Sequence, residues 1–260
     1  STPIKSSAAS DVYKRQDLAA RKEEENTTMA LLRGECEAFK ERGAALSGLD
    51  VYISSNVPKG SGVSSSAAFE VLIGVILNDR FMAEKVSPIA IAQIGQWAEN
   101  VYFGKPCGLM DQMASSVGGL VYMDFADPAH PATERIDCDL GASGYGLFIV
   151  DSGADHADLT ADYAAIPAEL EQVCRVFGAE VLRQVDETEF YRRLPEVRAA
   201  AGDRAVLRAI HYYEENARTL AQRRALLEKR FADFAALVLE SGRASFAPVS
   251  YTHLRAHETG

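Results

Sequence analysis

At 260 residues, 47% of them hydrophobic, the chain is long enough to bury one large core or two small ones. Its net charge of -10 and pI near 5.1 argue against a nucleic-acid-binding surface and for a soluble protein that holds any anionic ligand through local dipoles and a cation. No apolar run is long enough to span a membrane. Cys36, Cys107, Cys138 and Cys174 are scattered without a Cys-x-x-Cys pair, which disfavours a zinc site or a disulfide framework and suggests a reducing, cytoplasmic setting.

Residues 1–16 and 247–260 lack apolar periodicity joining them to their neighbours, and we expect them to stand outside the fold as non-native or disordered termini. His253 and His257, four apart, are not read as metal ligands. A helix is expected over residues 27–42, with Ala30, Leu31, Ala38 and Phe39 apolar and Gly34 a weak spot. Residues 49–55 alternate, Leu49, Val51 and Ile53 against Asp50, Tyr52 and Ser54, as a half-buried strand does. Pro58, Gly60 and Gly62 then break regular structure. A helix comes next over residues 64–78 with Ala67, Ala68, Val71, Leu72, Val75 and Ile76 as its apolar positions.

Pro88 suits the first turn of a helix reaching about Val101, and Trp97 on it reads as a core residue. The loop from Gly104 to Gly108 leads into a short helix over residues 109–117 and a strand over 120–125. Pro128 and Pro131 mark a loop, Asp137 and Asp139 look like solvated turn carboxylates, and residues 144–151 read as a buried strand. Longer helices are expected over 159–177, 202–221 and 225–239. A domain boundary near Gly141 would separate residues 17–140 from 141–246.

The most informative segment is Val57-Pro-Lys-Gly-Ser-Gly-Val-Ser-Ser-Ser-Ala-Ala68, which sits between the first strand and a long apolar helix. Its glycines let the backbone approach a ligand closely. The free amides and positive dipole end of the helix would face the loop, an arrangement that binds phosphate. Ser64, Ser65 and Ser66 add hydroxyls able to cap the helix, bond phosphate oxygens or ligate a metal. A Ser-capped helix after a Gly/Pro loop is the plainer alternative. Two familiar nucleotide motifs are excluded: the Gly104-Lys105 pair is followed by Pro106, so no Walker-type loop exists, and Ser65 stands where a dinucleotide fingerprint needs its third glycine.

Pro58-x-Gly60-x-Gly62-Val63-Ser64-Ser65-Ser66-Ala67-Ala68 resembles the ATP-binding motif of the GHMP small-molecule kinases. A second run, from Glu99-Asn to Cys107-Gly108-Leu109-Met110-Asp111-Gln112, resembles the galactokinase segment that carries the catalytic aspartate. The resemblance extends from about Asp17 to about Phe246, through Glu215-Asn-Ala-Arg218. It implies an α+β fold of two domains, a ribosomal S5 domain 2-like N-terminal part and a ferredoxin-like C-terminal part, both incomplete here. The family's N-terminal sugar-binding motif, with its catalytic arginine, and its C-terminal glycine-rich motif have no counterpart in these residues. The chain is therefore expected to be an internal fragment, inactive alone.

By that resemblance, Pro58, Gly60, Ser61, Gly62, Val63, Ser64, Ser65 and Ser66 bind ATP, and Ser66 and Glu99 hold Mg2+. A hydroxyl and one carboxylate suit an ion that keeps waters and phosphates as its other ligands. Asp111 matches the catalytic base that takes the proton of the sugar's anomeric hydroxyl; on its own, without the resemblance, an Asp near a helix start is better read as a cap. Tyr163 resembles a tyrosine that contacts the sugar, or else is a partly buried core tyrosine. Asp155 and His156 depart from the family pattern. The expected activity is ATP-dependent phosphorylation of galactose at C1, with a small-molecule sugar and ATP as partners and neither nucleic acid nor membrane. Two alternatives are a GHMP kinase for another sugar such as N-acetylgalactosamine and a non-catalytic galactokinase-like sensor of sugar and ATP. Intact Ser66, Glu99 and Asp111 argue against the sensor.

Overall fold

The computed structural model describes residues 4–6, 18–57, 63–127, 129–148, 150 and 160–245. The chain divides into two compact units, Ser1–Gly119 and Leu120–Gly260.

The first unit is built from helices around an apolar core. Helix α1 (Thr28–Glu41) starts where Thr27 adopts extended backbone and its hydroxyl accepts from the Ala30 amide, as an N-cap does. Strand β2 (Val51–Ile53) pairs antiparallel with β1 (Ile4–Ser6), Ile4 opposite Ile53 and Ser6 opposite Val51. Residues 4–6 were expected outside the fold, yet they offer the backbone partners that β2 needs. Helix α2 (Ser65–Met82) runs a turn beyond expectation and ends at Ala83, whose backbone is left-handed. The side chain of Asn78 then bonds both ways to the backbone of Val86, donating at 2.9 Å and accepting at 3.0 Å. Helix α3 (Pro88–Trp97) is capped by Ser87 and passes into a π-helical stretch (Ala98–Phe103); helix α4 (Met110–Val117) completes the unit.

Leu32, Phe39, Val71, Ile73, Leu77, Ile91 and Ile94 form the core, with Trp97 packed against it and its ring 5.1 Å from that of Tyr102. The buried face of α2 is rotated from the expected one. Ala67, Glu70, Val71, Gly74, Leu77 and Asn78 are inside, whereas Leu72 and Val75 are exposed. The stripe still repeats at helical spacing, but it carries a carboxylate and a glycine in place of two aliphatic side chains, because neighbouring helices supply the partners for those positions.

Gly34 is explained by close approach rather than weakness. A Cβ there would meet the Cβ of Ala98 and the ring of Tyr102 at 2.9 Å. Gly34→Ala is therefore expected to destabilise the first unit by about 1–3 kcal/mol through overpacking, despite the better helix propensity of alanine; a urea midpoint equal to or above that of the parent would contradict this packing.

In the second unit, β3 (Leu120–Asp124) and β4 (Ala132–Ile136) form an antiparallel hairpin with Leu120 opposite Ile136. The hairpin is tied to later helices: Arg183 donates to Asp124 at 3.0 Å, and Arg223 donates to Glu134 at 2.6 Å while lying over the Tyr122 ring. These bonds draw the hairpin into the second unit, so the units part at Gly119, ahead of the boundary expected near Gly141. Helix α5 (Thr160–Phe177) packs on α7 (Leu194–Leu227), which breaks at Gly202, where φ is 84°. The short α6 (Glu187–Arg192), not foreseen, is capped by Asp186, and α8 (Phe231–Ser245) closes the described chain. Val173, Phe190, Val197 and Ala209 are fully buried among these helices, and Glu169 pairs with Arg208 at 2.7 Å.

The strand expected over residues 144–151 is not formed by its described residues. Leu147, Phe148 and Val150 are 84–89% exposed, because each sheet among the described residues has only two strands and neither bonds to this run. The carboxylates of Asp137 and Asp139 are on exposed residues as expected, and Asp139 accepts from the Ala142 amide in a turn.

Candidate functional site

The glycine loop itself, Pro58, Gly60, Ser61 and Gly62, lies outside the described residues, as do Asp155 and His156. From Val63 onward the chain is described again. Val63 is exposed, and Ser64, at the N-cap of α2, has left-handed backbone with φ 54° and ψ 53°. That conformation is costly for a residue with a Cβ and marks a position where surrounding contacts over-determine the backbone. The Ser64 hydroxyl does not cap the helix. It donates instead to Oδ2 of Asp111 at 2.6 Å, across 47 positions of sequence. Ser65 and Ser66 occupy the first turn of α2, half-buried, where amides have no intrahelical acceptor.

Asp111 stands in the first turn of α4, exposed, and caps nothing: Leu109 is the N-cap. Its position depends on the loop before it. Asn100 accepts from the Cys107 amide at 2.7 Å, Gln96 donates to the Cys107 carbonyl at 3.2 Å, and the Lys105 amide donates to the Glu99 carbonyl at 3.2 Å. Gly104 turns the chain with φ 82°. These bonds from α3 and its π-helical extension fold the Gly-Lys-Pro-Cys-Gly loop back so that α4 begins beside the start of α2.

Beneath Asp111 lies a buried polar cluster. Gln112, 1% exposed, donates through Nε2 to Glu70 Oε2 at 3.0 Å and to Glu99 Oε2 at 3.1 Å. Glu99 lies in the π-helical stretch, buried, with the Lys105 ammonium 3.7 Å from its other oxygen. Burial pushes the Glu70 carboxyl up to about 7; the Gln112 hydrogen bond opposes this and the Glu99 charge adds to it. Oε1 of Glu70 is buried with no hydrogen-bond partner. Burial, followed by a hydrogen bond to Glu99, holds the Cys107 thiol far above its usual range, which disfavours a thiolate nucleophile there.

The donor chemistry fits a hard cation with few protein ligands: a serine hydroxyl, one buried carboxylate, and an unpartnered carboxyl oxygen one helical turn from the serine. Among the described residues no group of three or more His, Cys, Asp or Glu forms a metal cage. An ion here would take its remaining ligands from phosphate and water.

Sequence reasoning named Ser64, Ser65, Ser66, Glu99 and Asp111, and these lie in one unit, with Ser64 bonded to Asp111. It missed Glu70 and Gln112. A charged residue four positions after Ser66 in an apolar helix was the available signal. Tyr163 lies in α5 of the second unit, and its side chain is outside the described residues.

Comparison with known proteins decides the family of the N-terminal domain. The sequence pattern of the GHMP kinases N terminal domain matches residues 29–119. These residues form a GHMP kinase N-terminal domain. Two galactokinases extend the likeness beyond that domain. The Streptomyces coelicolor galactokinase is 34% identical over 208 residues, 80% of this chain and 53% of that protein. The Thermotoga neapolitana galactokinase is 31% identical over 210 residues, 81% of this chain and 57% of that protein. The chain thus spans about half the length of the curated relatives it matches. The crystal structure of Lactococcus lactis galactokinase complexed with galactose shares the fold, with a TM-score of 0.66 at 19% identity over 90% of this chain and 59% of that one. The GHMP kinase fold expected from the sequence is therefore present, as a mixed helix and sheet structure that is mostly helical. No helix among the described residues is long and apolar enough to cross a membrane.

Proposed function

We propose that this chain carries the nucleotide-binding and base-bearing part of a cytoplasmic, ATP-dependent kinase that phosphorylates galactose at its anomeric C1 hydroxyl. The observation that carries this reading is the Ser64–Asp111 hydrogen bond at 2.6 Å, which brings a carboxylate to the mouth of a helix start suited to phosphate. Galactokinase relatives over four-fifths of the chain support the sugar.

In this reading Pro58, Gly60, Ser61, Gly62, Val63, Ser64 and Ser65 cradle the triphosphate with backbone amides and hydroxyls. Ser66 and Glu99 would hold magnesium, which neutralises charge on the β and γ oxygens when bound. Asp111 accepts the proton of the C1 hydroxyl as that oxygen bonds to the γ-phosphorus and ADP departs. Tyr163 contributes a hydroxyl to the sugar. These residues contain no counterpart of the family's arginine-bearing motif, so nucleotide binding without turnover is expected from this polypeptide alone.

The test is ADP release over a panel of sugars by the protein encoded in the whole reading frame that holds these residues. Galactose-dependent release is expected. Release with N-acetylgalactosamine alone would shift the substrate, and nucleotide binding with no release for any sugar would favour a sensor.

A further inference from the structure

We propose that Gln112 is the positioning residue of the cation site: its one amide group grips the carboxylates of Glu70 and Glu99 together and so keeps Glu99 against the Ser66 face of α2. This rests on the reading that Ser66 and Glu99 hold magnesium.

The geometry comes from three helical elements. Ser66 and Glu70 are four residues apart on α2 and share a face. Glu99 comes from the stretch after α3, and no hydrogen bond links it directly to α2 among those described. Gln112 on α4 makes the link, 3.0 Å to Glu70 and 3.1 Å to Glu99, with the Cys107 sulfur 3.6 Å from the same nitrogen. A primary amide has two N–H groups, matching the two carboxyl oxygens it reaches, and it bears no charge of its own. Methionine of similar length has no donor, and an ionised glutamate would add a third acidic group.

The surrounding chain makes room for this contact. A Cβ at Gly95 would stand 3.1 Å from the Glu70 Cβ and 3.5 Å from the Gln112 Cγ, so glycine on α3 lets the two side chains meet. Successive residues of α4 then divide the work. Asp111 faces Ser64 at the surface while Gln112 points inward to the carboxylates.

The test is calorimetric titration of ATP into this chain with saturating magnesium and with EDTA, for the parent, Gln112→Met and Gln112→Glu. In both variants the metal-free affinity is expected to stay within about twofold, while the gain in affinity conferred by magnesium falls by about 10- to 100-fold, as loss of a ligand-orienting partner does. A magnesium gain retained in Gln112→Met, an equal loss with and without the metal, or failure of both variants to fold would each overturn the positioning role. A parent chain that binds ATP with no magnesium gain would overturn the Ser66–Glu99 assignment itself, a failure separable from the first.

Discussion

Asp111→Asn is expected to lower galactose-dependent ADP release by about 10²- to 10⁴-fold, the range lost when a positioned proton acceptor is removed. The substitution keeps shape and deletes the charge that the Ser64 hydroxyl now faces. The asparagine oxygen can still accept from Ser64, and the side chain is exposed, so the thermal midpoint and ATP affinity should change little. The assay is steady-state turnover in the protein from the whole reading frame, beside a melting curve of the same preparation. Turnover within a factor of a few of the parent would remove Asp111 from the chemistry. A collapse of ATP binding along with turnover would instead make it a structural partner of the loop.

The second large effect is on stability. Glu35 on α1 is fully buried, and neither of its carboxyl oxygens has a hydrogen-bond partner. Burial, reinforced by the charge of Glu70, raises its carboxyl well above 4.5. Burial above all carries the Glu70 carboxyl up to about 7, with the Gln112 hydrogen bond and Lys105 lowering it and Glu99 and Asp111 raising it further. Both groups bind a proton more tightly in the folded chain than in the unfolded one. Their contribution to stability is therefore fully present below the unfolded value and is lost as pH rises through the folded values.

Glu70 alone, raised from 4.5 to about 7, corresponds to about 3 kcal/mol across that window. Urea midpoints should fall between about pH 5 and about pH 8. Glu35→Gln should flatten that fall and stabilise the chain at the alkaline end, because a neutral amide has no charge to desolvate and removes the repulsion between Glu35 and Glu70. General repulsion at a net charge of -10 also grows as carboxyls ionise, and the difference between parent and variant isolates the buried pair. Parallel pH profiles for the two proteins would show that Glu35 does not titrate across this range.

Much of the first unit was legible because its signals are local. Pro88 opening α3 and the Gly/Pro punctuation around the serines act within a turn or two of their own position. The run from Glu99 to Gln112 was legible only through its resemblance to the galactokinase segment, and the bonds that fold its loop back appear only in the structure. The exposure of Leu147, Phe148 and Val150 was not legible, since an apolar run specifies a strand only where a partner edge is present. The π-helical stretch holding Glu99 was also hidden, because it differs from an ordinary helix end only in which carbonyl each amide reaches.

The amino-acid order by itself placed the helices of the first unit to within about a turn, marked the segment expected to meet phosphate, and carried the resemblance that gives the family of the N-terminal domain. Tertiary structure alone decided that α2 turns Glu70 inward and Leu72 outward, that Ser64 leaves its own helix to bond Asp111, and that Gln112 joins Glu70 to Glu99. The reason is range: capping and periodicity are settled between near neighbours, whereas these contacts join residues up to 47 positions apart and exist only once the helices have packed.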